Sequence, residues 1–182
     1  MTMNLASPIP APMPVAPSSM PAEISELGAY IAQGGPMAAV LGMDEEEMEA
    51  LYTVAHHALL QGQHEEAALL FGRLALLDAM SPRYRWGLAL ALRERGQHAD
   101  ALVHLGICCQ LEPDRPEALI EMARSLLVVG EGDIAREALA VALSLCTTTQ
   151  HEAARGRAQA LLDLVSQPDA AARRSANQGD SE

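Results

Sequence analysis

HALLQGQHEEAALLF (His57–Phe71), ALRERGQHADALVHL (Ala91–Leu105) and SLLVVGEGDIAREAL (Ser125–Leu139) carry one pattern three times, each copy 34 residues after the last. Gly62, Gly96 and Gly130 are in phase, and so are Ala67, Ala101 and Ala135. Ala55, Ala89 and Ala123 lie seven residues before each glycine, and apolar Phe71, Leu105 and Leu139 lie nine after it. Four columns in register predict a helix, a tight turn at the glycine and an antiparallel helix in every copy.

The physical sense of the order is close packing. Small residues at Ala55 and Ala67 let the two helices of a copy approach, and Phe71 and its counterparts fill the space between one copy and the next. The period and the small/large/small order match the tetratricopeptide (TPR) pattern. Numbered from Met48, Pro82 and Pro116, the repeats span 48–81, 82–115 and 116–149, and position 4 reads Leu51, Arg85 and Leu119, with Arg85 the poor match. Position 7 reads Val54, Leu88 and Met122, and a proline at position 32 stands only in the second repeat, as Pro113. The expected fold is an all-α TPR solenoid of three repeats with an N-terminal helix and a C-terminal capping helix.

The flanks support that division. Residues 1–21 hold six prolines among Ala, Ser and Met, a composition with no face to bury, and read as a disordered tail. Ile24, Leu27 and Ile31 predict a helix from Ala22 to Gln33, stopped by Gly34-Gly35-Pro36, within an N-terminal helical segment at 22–42. Asp44 with Glu47, and Asp114 with Glu117, read as capping boxes, Ser81-Pro82 as an N-cap followed by a first-turn proline, and Thr149 with Glu152 as the start of a further helix. That helix, at 150–166, sets Ala154, Ala158, Leu161, Leu162 and Val165 on one face to cap the third repeat. Residues 168–182 are polar, charged or small and read as a second disordered tail.

Composition narrows the function. The 182 residues carry a formal charge of −12, and all twelve basic residues are arginine. That balance argues against nucleic acid or an anionic membrane as partner, because both need clustered cations to displace counterions. No run approaches a membrane span, and no secretory signal is visible at the N-terminus, so the expected location is the cytoplasm. Cys108, Cys109 and Cys146 fit neither a zinc site nor a disulfide framework and read as small thiols in a reducing compartment. His56 and His57 point about 100° apart on a helix and His64 lies past the turn, so they do not converge on a metal. No spacing suggests a catalytic constellation, and Gly34-Gly35 has neither the preceding strand nor the following Lys-Ser/Thr of a phosphate loop. Neither an enzyme nor a cofactor is expected.

Recognition by a concave face is left. Positions 2, 5, 9, 12 and 13 of the first helices tend to face the concavity of such arrays: Glu49, Tyr52, His56, Leu59 and Leu60, then Arg83, Trp86, Leu90, Arg93 and Glu94, then Glu117, Ile120, Arg124, Leu127 and Val128. Aromatic and aliphatic anchors ringed by Arg and Glu suit an extended apolar peptide. The binding set read from this row is Tyr52, His56, Leu59, Leu60, Trp86, Leu90, Arg93, Ile120, Arg124 and Leu127. Two other readings stand beside it: Tyr52 and Trp86 as plain core, and a general TPR scaffold joining folded partners. Without Lys or Asn in the repeats, a clamp for a terminal carboxylate is not expected, although Arg83 and Arg124 could pair with an acidic ligand residue.

Over about Ala22 to Val165 the chain resembles the class II type III secretion chaperones of bacteria, the LcrH/SycD-like translocator chaperones. The resemblance rests on the N-terminal helix followed by Gly34-Gly35, on Met48-Glu49-Ala50-Leu51-Tyr52, and on Leu77-Asp78 leading into Arg83-Tyr84-Arg85-Trp86-Gly87-Leu88. It implies a small acidic cytoplasmic chaperone that keeps hydrophobic translocators soluble and unassembled, with an N-terminal cargo segment in its groove. By position the groove residues carry over to Tyr52, His56, Leu59 and Trp86, and then to Leu90, Arg93, Ile120 and Arg124. It also implies a homodimer formed through the N-terminal helical region, about Ala22 to Leu41.

Overall fold

The computed structural model describes residues 22–166, so the tails expected at 1–21 and 168–182 lie outside the described residues. The chain divides into two units, Met1–Gly35 and Pro36–Glu182. In the first, helix α1 (Ala22–Ala32) ends where Gly34 takes a φ of 86°. Two amides close the turn: Gly34 N–H donates to the Ile31 carbonyl and Gly35 N–H to that of Tyr30, both at 2.9 Å. These bonds satisfy carbonyls that the last helical turn leaves without partners.

The second unit begins with the single turn α2 (Met37–Val40) and continues as three helix pairs. These are α3 (Glu45–Leu60) with α4 (His64–Leu77), α5 (Pro82–Glu94) with α6 (His98–Leu111), and α7 (Pro116–Val129) with α8 (Gly132–Leu145). A 3-10 turn (Thr149–His151) leads into α9 (Glu152–Ser166), and among the described residues there is no strand. From α3 onward each helix packs on the next, α2 meets α4, α3 also meets α5, and α9 lies against both α8 and α7. In each pair the turn glycine has a left-handed backbone, with φ of 75° at Gly62, 77° at Gly96 and 91° at Gly130, which side chains with a Cβ rarely adopt. Every member of the three apolar columns, from Ala55 to Leu139, is buried to within 1% exposure.

Two apolar clusters fill the unit. One surrounds Phe71, Leu74, Leu88 and Leu92, and the other surrounds Ile120, Leu126, Leu139 and Cys146 and takes in Ala154 and Ala158 of α9. One close approach is between pairs: a Cβ on Gly87 would stand 2.3 Å from the Phe71 ring. Arg85, the misfit in its column, keeps its guanidinium polar by donating to the Ala79 carbonyl at 3.2 Å and lying 3.3 Å from Nδ1 of His104. Burial, and then the neighbouring Arg85, hold His104 below its ordinary pKa.

The helix starts follow the sequence only in part. The Asp44 box forms, with Glu47 N–H donating to Asp44 Oδ1 at 2.9 Å and Asp44 N–H to Glu47 Oε2 at 3.1 Å. Ser81 occupies the N-cap of α5 with Pro82 in the first turn, but its hydroxyl makes no capping bond. The expected Asp114–Glu117 box does not form, because the N-cap of α7 is Arg115. Pro116 explains the shift: the residue before a proline is pushed out of the helical region, so Arg115 is extended and Asp114 falls one position short. Thr149 likewise does not cap α9, since it opens the 3-10 turn behind Thr148.

Gly87→Ala and Ala101→Leu each force volume into a filled contact and should cost about 1–3 kcal/mol. Denaturant unfolding checks this, with helicity at low denaturant showing that the fold survives.

Candidate peptide groove

The aromatic residues of α3 and α5 meet on one face because Tyr52 and Trp86 recur at one position of successive first helices. Tyr52 is the hub: His56 stacks on it at 5.8 Å and 18°, Phe71 meets it edge-on at 5.9 Å and 72°, and Tyr84 lies at 6.0 Å and 45°. Above the hub, Cζ of Arg83 is 3.7 Å from the Tyr52 ring centroid, and the same guanidinium donates to Glu49 Oε2 at 2.7 Å. Burial opposes the Arg83 charge, but the hydrogen bond and charge of Glu49 outweigh it and raise its pKa. Tyr84, beneath, has its pKa raised by burial. On the neighbouring side Arg115 covers Trp86, with Cζ 4.5 Å from the ring centroid, and donates to Glu112 at 2.7 Å.

Between these aromatics opens a cleft of about 330 Å³, lined by Tyr52, His56, Leu59, Leu60, Phe71, Arg83, Trp86, Gly87, Leu90 and Arg115. Six of the ten residues read from the sequence therefore share one wall: Tyr52, His56, Leu59, Leu60, Trp86 and Leu90. Leu60 is 70% exposed there. Tyr52 and Trp86 are half-buried rather than core, so both present ring surface to the cleft.

A second, smaller cleft of about 260 Å³ lies between α7 and α9, lined by Ile120, Glu121, Arg124, Arg157, Ala160 and Leu161. Its chemistry centres on Glu121, which is only 5% exposed. Three guanidinium groups converge on this carboxylate: Arg93 from α5, Arg124 at 3.2 Å from α7, and Arg157 at 3.8 Å from α9. Arg93 also pairs with Glu94 at 2.6 Å, and that bond holds Glu94 below the usual carboxylate range.

Two of the ten residues sit deeper than the pattern suggests. Ile120 is 1% exposed and belongs to the second apolar cluster. Arg93, with a side chain 13% exposed, is committed to Glu121 and Glu94. Leu127 is half-buried and packs on the same cluster, and only Arg124, half exposed, faces the second cleft openly. The sequence pattern does not reach Arg115, which stands in the loop before α7, or Arg157, which lies beyond the repeats. Glu121 carries the one available signal, a charge set between Ile120 and Met122 on an otherwise apolar stretch. The cysteines line neither cleft, and all three are free. Burial pushes Cys108 up to about 11, which keeps the thiol protonated near neutrality. Among the described residues no group of three His, Cys, Asp or Glu side chains could hold a metal ion, and no helix is long and apolar enough to cross a membrane.

No protein-family model matches the sequence, and no curated protein sequence matches it. Solved structures do. A type III secretion complex from Aeromonas hydrophila contains a chain similar with a TM-score of 0.75 and 25% identity, over 78% of this chain and 95% of that one. PcrH of Pseudomonas aeruginosa, in complex with the chaperone binding region of PopD, matches with a TM-score of 0.66 and 27% identity, over 68% of this chain and 94% of its own. SycD, the type III secretion translocator chaperone of Yersinia enterocolitica, shares the fold with a TM-score of 0.67 at 24% identity, over 72% and 98%. The fold of this chain is thus similar to that of the type III secretion translocator chaperone SycD and of PcrH. SycD is a chaperone by name, and PcrH is bound to the chaperone binding region of PopD. Each is matched over nearly its whole length.

Removing the carboxylate at the centre of the second cleft leaves the buried Arg93 with only the more exposed Glu94 as counter-charge. Glu121→Ala should therefore lower stability by about 3 kcal/mol, whereas Arg157→Ala, at a half-exposed site, should change it by less than about 1 kcal/mol. Denaturant unfolding of the two variants side by side checks the contrast.

Proposed function

We propose that this protein is a chaperone of type III secretion that binds hydrophobic translocators and keeps them soluble and ready for export. The observation that carries the reading is the half-buried aromatic cleft of Tyr52 and Trp86, on the fold shared with PcrH, whose complexes hold the chaperone binding regions of PopD and of PopB. A translocator segment with apolar side chains would set one anchor against Trp86, Leu59 and Leu90, with Tyr52 and His56 flanking it. Arg83 and Arg115 would close over the rings and exclude water from the contact.

Masking such a segment acts by mass action. Cargo held in the groove is withdrawn from the free population that would aggregate or insert early. The protein is read as a binding protein without catalytic activity or cofactor, acting in the bacterial cytoplasm. The repeat division 48–81, 82–115 and 116–149, with 150–166 as cap, belongs to the same reading. So does a homodimer formed through 22–42, where Leu27, Tyr30 and Ile31 of α1 are exposed. A general scaffold for folded partners is the second reading, and it predicts no preference for apolar translocators.

Co-purification from a secretion-competent bacterium separates the two, because a chaperone should retain one or two hydrophobic translocators as its main catch. Trp86→Ala or Tyr52→Ala should weaken that binding by about 1–3 kcal/mol with helicity unchanged. Unchanged affinity in both variants would remove the groove assignment. For self-association, light scattering should give a dimer for the full chain and a monomer for a chain beginning at Asp44, and equal states in the two would contradict the role of the N-terminal segment.

A further inference from the structure

The second cleft has a composition that an apolar anchor does not need. Its floor is apolar, from Ile120, Ala160 and Leu161, while its rim carries Arg124 and Arg157 with side chains 50% and 52% exposed. The one carboxylate in its lining, Glu121, is shared with Arg93, which approaches it from below. A guanidinium has five N–H donors. Among the described residues Arg124 uses one of them on Glu121, and Arg157 stands 3.8 Å from the same carboxylate, beyond hydrogen-bond reach. Most of the donors on the rim are therefore open to a ligand, in a chain whose formal charge of −12 repels anions elsewhere.

Helix α5 contacts both clefts. Leu90 lines the first, and Arg93, one turn further on, binds the Glu121 that lines the second. At about 260 Å³ the second cleft is smaller than a typical site for an independent small ligand, which suits it to a single side chain of a longer one.

We propose that the cleft between α7 and α9 is a subsite for an acidic side chain, an Asp or Glu carried by the same translocator segment whose apolar anchor fills the Tyr52–Trp86 cleft. This rests on the groove reading above and adds a chemical requirement to it. Ala160 and Leu161 take the methylene part of the side chain. Arg124 and Arg157 donate to its carboxylate from two sides, and Glu121 holds both guanidiniums in place without satisfying them. The segment recognised is thus apolar with one acid at a set distance from its anchor, which also discriminates against purely hydrophobic peptides.

The test uses the full chain and short synthetic Leu/Ala/Pro peptides, acetylated and amidated, with one Glu placed at each successive position, together with their Gln counterparts. Fluorescence anisotropy of labelled peptide gives the affinities. At one Glu position the affinity should rise about threefold to tenfold over the Gln peptide, as expected for a partly exposed charge-assisted contact. Within each variant the Glu-over-Gln advantage should disappear in Arg124→Gln/Arg157→Gln, and it should survive in Arg73→Gln, an exposed arginine that lines neither cleft. Equal binding of Glu and Gln peptides at every position overturns the subsite but leaves the groove standing. Persistence of the advantage in the double arginine variant, or its loss in Arg73→Gln alone, also overturns it. A Gln peptide with a free C-terminal carboxylate should gain nothing over its amidated form, and a gain that matches the Glu effect would overturn the assignment to a side chain. If no peptide of either kind binds, the groove reading falls together with the subsite.

Discussion

The Phe71 ring rests directly on the backbone of Gly87, in a contact with no room for even a methyl group. The rest of the second unit depends on that approach. It brings α5 onto α4, and with α3 already packed on α4 the first helices of two successive repeats become neighbours. Tyr52 then meets the edge of the same Phe71 ring, and the space between Tyr52 and Trp86 becomes a cleft floored by Phe71 and Gly87. A bulkier residue at position 87 would push the helices apart and fill that floor at once, so packing and binding surface share one constraint.

Charge is handled by arginine alone, and the choice has structural consequences. A guanidinium lies flat on an aromatic ring and still donates in its plane, which is how Arg83 covers Tyr52 while bonding Glu49, and how Arg115 covers Trp86 while bonding Glu112. An ammonium group offers no such planar fork. Around Glu121 the same property lets three cations from α5, α7 and α9 share a single buried carboxylate. That arrangement ties α9 to the repeats by more than its apolar contacts and leaves cationic donors at the rim of a cleft.

The fold was legible because it is carried by residues whose role depends only on phase. The turn glycines have the left-handed backbone their spacing implied, and the alanine columns are the close contacts they looked like. The first cleft was legible for the same reason, since Tyr52 and Trp86 occupy one position of successive first helices. What periodicity could not show was set by single residues outside the repeat. Pro116 moves the start of α7 past Asp114, Arg115 reaches Trp86 from a loop, and Arg157 reaches Glu121 from beyond the array. Arg93 and Ile120 have the phase of groove residues, but an ion pair draws one inward and the second apolar cluster encloses the other.

The central claim is that an extended apolar segment binds against the rings of Tyr52 and Trp86. Trp86 is the only tryptophan in the chain, so its fluorescence reports on that cleft alone. On addition of a translocator segment captured by co-purification, the account predicts a saturable shift of the Trp86 emission to shorter wavelength as water leaves the ring. Saturable binding with no change in that emission would place the segment elsewhere on the protein and contradict the account.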